Sequence, residues 1–166
     1  MTGDSGAQTF YEIERKFLLS HDGWRPLVAQ QTTIRQGYLN QDRHCSVRIR
    51  IADAKATLNL KGATLGASRL EFEYPVPLEE AHILLDQLAL GPQIEKIRHH
   101  VPWGPHVFEI DEFLGDNLGL VVAEIELNAV DEPFERPDWL GLEVTEDVRY
   151  YNTALSLNPF RNWSSP

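Results

Sequence analysis

The chain has 166 residues, 42% of them hydrophobic and 24% charged, with a formal net charge of −10. That length suits one domain with a real core, and no apolar run is long enough to cross a bilayer, so a soluble protein with no membrane partner is expected. The acidic balance excludes non-specific nucleic-acid binding, which needs a basic footprint, but not a small anionic ligand, because a local cluster of bases governs a site while net charge governs steering.

Residues 1–9, MTGDSGAQT, read as a flexible lead-in with no basic region before an apolar stretch, so no secretory leader is expected. A strand is predicted over 10–19 and a single helical turn within 22–30. Strands over 34–40 and 46–52 are joined across the polar QDRH, and 56–62 pairs with 68–76 across a glycine-containing loop. A helix over 78–90 follows from the spacing of Ala81, Leu84, Leu85 and Leu88, with acids in its first turn and Gly91-Pro92 as its stop. Strands resume over 94–102, 106–113 and 119–128, residues 131–141 read as loop, and a last helix runs from near Thr145 to about 157. Hairpin-length connections make the sheet antiparallel. The domain is expected to span 10–160, with 161–166 as a tail. The single cysteine, Cys45, excludes a disulfide framework and fits a reducing cytoplasm. Cys45 itself reads as a half-buried strand residue rather than a nucleophile.

The chemistry lies in charges spaced i, i+2 along strand after strand: Glu12, Glu14 and Lys16; Arg48 and Arg50; Lys61; Glu71 and Glu73; Lys96 and Arg98; Glu109 and Asp111; Glu124 and Glu126. In a strand that spacing places both side chains on one face. Any one such pair is ordinary on an antiparallel sheet with one wet face. The series is not, because most pairs carry one sign and therefore repel, and arginine, whose planar fork suits phosphate oxygens, leads among the bases. The alternate face is apolar: Val47, Ile49 and Ile51; Leu70, Phe72 and Tyr74; Ala123, Ile125 and Leu127. It is expected to pack under the helices, which turns the charged faces toward one another inside a closed or nearly closed sheet. Bases in such an interior would bind an oligo-anion and carboxylates would bind hard cations, which together describe a site for a polyphosphate complexed with Mg²⁺ or Mn²⁺.

The run Glu12-Ile13-Glu14-Arg15-Lys16 resembles the E-x-E-x-K signature of the CYTH superfamily, the triphosphate tunnel metalloenzymes. The resemblance continues through RQGYL at 35–39, R-x-R at 48–50, LKG at 60–62, R-x-E-x-E at 69–73, K-x-R at 96–98, Asp111, E-x-E at 124–126 and GLEVTEDVRYYNTAL at 141–155. It implies a mainly β fold, an eight-stranded antiparallel β tunnel with a few outer helices, and Mg²⁺- or Mn²⁺-dependent hydrolysis of a triphosphate, with inorganic triphosphate as the leading substrate. Carried over by position, Glu12, Glu14, Glu124 and Glu126 are identified as metal carboxylates, assisted by Asp111, Glu71 and Glu73. Lys16, Arg48, Arg50, Lys61, Lys96 and Arg98 are the triphosphate cradle, with Lys16, Arg50, Lys61 and Lys96 placed as catalytic. Glu109 shares the parity. Val148 stands where some relatives carry a base, with Arg149 beside it. The alternatives are a class IV adenylate cyclase or a nucleoside or thiamine triphosphatase on the same scaffold, and a polyphosphate-binding module without turnover. A monomer or homodimer is expected.

Other motifs carry less. His99 and His100 point to opposite faces of a strand and cannot share an ion, so a surface or strand-end place is expected. His44 and Cys45 lack a second ligand pair for zinc. No P-loop pattern is present. Trp24, Trp103, Trp139 and Trp163 read as packing or rim residues. No aromatic or amide cluster for an organic group is visible beyond Tyr38 and Asn59.

Overall fold

The computed structural model describes residues 10–63 and 67–164, so the expected lead-in over 1–9 lies outside the described residues. Nine strands are present among the described residues: β1 Tyr11–Leu19, β2 Gln30–Tyr38, β3 Cys45–Ala52, β4 Lys55–Gly62, β5 Ser68–Val76, β6 Leu90–Trp103, β7 His106–Phe113, β8 Val121–Leu127 and β9 Leu140–Glu143. They form one sheet in the order β5-β4-β3-β2-β6-β7-β8-β1-β9. β5 also pairs with β1 through Tyr11↔Leu70 and Glu12↔Arg69, which closes β1 to β8 into an eight-stranded antiparallel barrel. β9 then takes the far half of β1, pairing Phe17 with Glu143 and Leu19 with Leu140.

Closure gives each alternation an inside and an outside. Outward-facing Phe17, Phe108, Ile110, Ala123 and Ile125 are buried under Trp24, Trp139 and Phe134, contributed by the 3₁₀ turn Asp22–Leu27 and the segment before β9. Ile49, Ile51 and Ala56 pack under Ala81 and Leu85 of helix α1, Leu78–Gln87. A glycine is needed at Gly37 in β2, where a Cβ would come within 3.0 Å of both Ala89 and Leu85. The third cluster lies on the inside. Ile94, Phe113 and Val122, in register with the charged inner positions, meet Leu155 of helix α2, Asn152–Leu157, which thereby plugs one end of the barrel.

Several expectations need correcting. The outer face of β5 is covered by α1 only at Val76: Leu70 is 38% and Tyr74 51% exposed, and the ring of Phe10 stacks on Phe72 at 5.0 Å. The barrel has more outer circumference than its short helices can cover. α1 ends at Gln87, and Gly91-Pro92 opens β6 instead of stopping the helix, with Gly91 at φ 66°. β2 begins at Gln30, because its partner β6 is long enough to pair there, Gln30 with His100. β9 lies partly in the stretch read as loop. The last helix is confined to Asn152–Leu157, after a 3₁₀ turn at Val148–Tyr150 capped by Asp147. Cys45 is exposed at the start of β3 rather than half buried. His99 is buried, not superficial: it lies against Trp24, and its Nε2 is 2.9 Å from Glu112.

Candidate active site

The barrel encloses a cavity of about 420 Å³ whose wall is predominantly polar. Of the residues singled out in the sequence, Glu12, Glu14, Lys16, Arg48, Arg50, Lys61, Glu71, Glu73, Arg98, Glu109, Glu124 and Glu126 all line it. β1, β3, β4, β5, β6, β7 and β8 supply them at alternate positions, so the grouping follows directly from strand periodicity and closure. Lys96 and Asp111 sit one layer deeper, at 0% and 1% exposure. Arg149 turns outward onto Asp147, at 2.6 Å, and its neighbour Val148 faces a second pocket.

The bases fall into two groups. Most are paired. Lys16 Nζ lies 2.6 Å from Glu124 and 3.2 Å from Glu14. Lys61 Nζ lies 2.8 Å from Glu12 and 3.5 Å from Glu71. Arg98 donates to both oxygens of Asp111 at 2.8 Å and also meets Glu109 and Glu124. Lys96 Nζ donates to Asp111 Oδ2 at 2.5 Å. Arg48 and Arg50 differ. Among the described residues neither has a carboxylate at ion-pair distance; Arg50 Nε donates to Gln36 at 2.9 Å, and the buried Nε of Arg48 has no acceptor. A buried cation without a counter-charge is costly, and the buried Arg48 and half-buried Arg50 share one face of β3 without one among the described residues.

The acids are also divided. Glu124 is held well below its ordinary pKa: burial opposes this, but Lys16, Arg98 and Lys96 prevail. Asp111 is lowered in the same way by Arg98 and Lys96 against its burial. Glu14 and Glu126 go the other way. Burial raises the Glu14 carboxyl, with Glu124 adding repulsion, and burial followed by Glu12 and Glu109 raises that of Glu126. The register adds further like-charge pairs, with Glu14 the cross-strand neighbour of Glu126 and Glu109 that of Glu124. Like charges placed opposite one another destabilise a sheet unless something neutralises them. Glu126 forms no ion pair among the described residues, and Glu73 meets only Asn59 Nδ2, at 3.0 Å. Among the described residues no three acids already stand in a ligating arrangement. Their chemistry nonetheless fits a hard divalent cation, since all are oxygen donors and their mutual repulsion is what such an ion relieves.

Burial also lowers Lys61, with Arg48 next, and pushes Lys96 down to about 7 against the pull of Asp111. Of the lining residues not singled out from the sequence, three bring polar groups that bear on the site. Arg69, inside the R-x-E-x-E run, lies 3.3 Å from Glu12. Tyr151 and Asn152 come from the plug and not from a strand. Parity could have found Arg69; nothing periodic marks the other two. A second pocket of about 700 Å³ opens beside α2, and Tyr38, Leu90, Val148, Tyr151 and Leu157 give it a largely apolar wall. It shares Tyr38, Ser46, Lys61, Arg69, Tyr151 and Thr153 with the tunnel cavity. Space for an organic group, not visible in the sequence, therefore exists.

A closed antiparallel barrel lined by bases and acids is the class that fold and site define, and the family model for the CYTH domain matches residues 11–154. The chain belongs to the CYTH domain family. It is 46% identical over 152 residues to the inorganic triphosphatase of Acetivibrio thermocellus, covering 92% of this chain and 97% of that one. It is 36% identical over 154 residues to the inorganic triphosphatase of Nitrosomonas europaea, covering 89% and 97%. A crystal structure of an inorganic triphosphatase superposes with a TM-score of 0.64 at 33% identity, over 88% of this chain and 94% of that chain.

Proposed function

We propose that this protein is a metal-dependent triphosphatase that hydrolyses inorganic triphosphate to pyrophosphate and orthophosphate. The observation that carries the reading is the buried Arg48 and half-buried Arg50, neither with a carboxylate at ion-pair distance among the described residues, in one cavity with the carboxylates Glu73 and Glu126, which likewise meet no base there. The similarity to two inorganic triphosphatases supports it. Arg48 and Arg50, with Lys16, Lys61 and Arg98 around them, bind the phosphate oxygens and spread the charge that builds as the terminal phosphoryl group transfers. Lys96 and Asp111 act from beneath: Asp111 fixes the position of Arg98. Glu12, Glu14, Glu124 and Glu126, with Glu71 and Glu73, would hold Mg²⁺ or Mn²⁺. Such an ion, when bound, neutralises phosphate oxygens and lowers the pKa of a bound water. Water oxygen bonds to the terminal phosphorus, the bridging P–O bond breaks, and its electron pair leaves with pyrophosphate. One cysteine and the acidic composition favour a cytoplasmic place.

The pocket beside α2 favours a second reading, an organic triphosphate whose substituent sits against Tyr38, Leu90 and Leu157. Phosphate release from inorganic triphosphate, ATP, GTP and thiamine triphosphate, each with Mg²⁺ and Mn²⁺, separates the two. Inorganic triphosphate is expected to turn over fastest. Cyclic AMP and pyrophosphate from ATP, with no orthophosphate, would replace hydrolysis with cyclisation on the same site.

A further inference from the structure

Asn152 is the first residue of α2, after the N-cap residue Tyr151, whose side chain makes no cap hydrogen bond. Asn152 Oδ1 accepts from Lys96 Nζ at 3.3 Å. In its charged form, which Asp111 favours, Lys96 has only donors to offer, so this contact fixes the amide: oxygen toward Lys96, and Nδ2 away from it. Asn152 lines the tunnel cavity, whereas Lys96 is sealed behind the wall. Nδ2 has no partner among the described residues. An amide whose oxygen accepts from an ammonium is polarised, which strengthens its N–H groups as donors.

The geometry points to Asn152 as a substrate-contacting residue, its Nδ2 donating to a phosphate oxygen of the anion held in the tunnel while Lys96 locks its orientation. The inference rests on the triphosphatase reading above and adds to the site a residue that the barrel itself does not supply. Leu155, three residues on, packs α2 onto Ile94, Phe113 and Val122. Seating of the plug therefore brings a neutral donor to a cradle otherwise built from charged strand residues. A neutral donor contributes a hydrogen bond without adding another like charge beside Lys16, Arg98 and Lys96.

Two substitutions separate contact with substrate from support of Lys96. Asn152→Asp keeps an acceptor for Lys96 but turns an anionic oxygen toward the phosphates; Asn152→Leu keeps the volume and removes both functions. Binding of inorganic triphosphate in EDTA, read by calorimetry, and steady-state kinetics with Mg²⁺ are measured beside Tm. The wild type is expected to bind. Asn152→Asp, with its Tm preserved, is expected to weaken binding and raise KM by about tenfold or more, and Asn152→Leu by about tenfold, as for loss of a hydrogen bond to a charged group. A purely structural role predicts the reverse ranking, with Asn152→Asp equal to wild type, and that result overturns the inference. Failure of the wild-type protein to bind triphosphate at all would instead remove the reading on which it rests.

Discussion

At the scale of single residues, the tunnel contains two kinds of charge whose removal has opposite effects on stability. With Arg48 and Arg50 in the proposed phosphate cradle, replacing either with alanine should lower kcat/KM for every triphosphate by about ten- to a hundredfold, the range for charge-assisted hydrogen bonds. Unchanged kinetics in both variants would remove them from the cradle. Glu126 faces Glu14 and is raised by burial and by the surrounding acids. Glu126→Gln should therefore raise the Tm of the metal-free protein while cutting turnover at limiting Mg²⁺ by orders of magnitude. A loss of Tm together with full activity would contradict both expectations. Asp111 behaves differently again, since both its oxygens serve Lys96 and Arg98. Asp111→Asn leaves two buried cations poorly matched and should cost about 3–5 kcal/mol in denaturant unfolding, as for other broken buried pairs. These side chains were legible because the residue before last along a strand shares its face: Glu12 with Glu14, Arg48 with Arg50, Glu124 with Glu126. The sequence could not distinguish lining from support. Lys96 and Asp111 share the parity of Arg98 and Glu109 yet lie a layer deeper, a distinction set by where the barrel narrows under α2.

At the scale of elements, α2 is the least predictable part and an important one. Only six residues long, it is too short to be stable alone, and it exists because Leu155 is buried among Ile94, Phe113, Leu120 and Val122. Leu155→Ala should destabilise the protein by about 2–5 kcal/mol, as for large-to-small changes in a core. Because the plug carries Asn152 and Tyr151, turnover should fall even at temperatures where the variant remains folded. Wild-type kcat and KM in the folded variant would uncouple the plug from the site. The helix expected from Thr145 does not form there because Asp147 caps a 3₁₀ turn through the N–H of Arg149 and also holds that side chain. Such local competition for backbone donors is invisible to a count of apolar spacing. β9 escaped notice for a related reason: four residues with Gly141 close to Leu18 carry no periodic signal.

At the scale of the whole molecule, the paired and unpaired acids make stability depend on pH in two senses. Glu14 and Glu126 are raised above the ordinary value of 4.5, so the folded state binds protons that the unfolded chain has released. Their contribution is full below pH 4.5 and is lost as pH rises through their folded values. Glu124 and Asp111 are lowered, so what they contribute is present above their ordinary values of 4.5 and 3.8 and is lost as pH falls through their folded ones. A divalent ion held by Glu14 and Glu126, as proposed, would compete with protons for them and bind only the folded arrangement. Mg²⁺ should therefore raise Tm markedly at pH 7 and much less at pH 5. Equal shifts at both pH values would mean that these two acids do not hold the ion.

The sequence by itself determined the alternation, and with it which charges share a face, and the succession of strands along the chain from β1 to β8. These follow from the period of two in an extended chain and the short connections between strands, both local properties. Tertiary structure alone decided which bases are neutralised and which are left for an anion, because Lys16 meets Glu124 and Lys61 meets Glu12 only after strands distant in the chain have closed into a ring. It also decided that α2 enters one end of that ring and places Asn152 against Lys96, fifty-six residues away in the chain. No pattern within a segment encodes such a meeting; it depends on the curvature of the barrel and on the apolar residues inside one end that needed a cover.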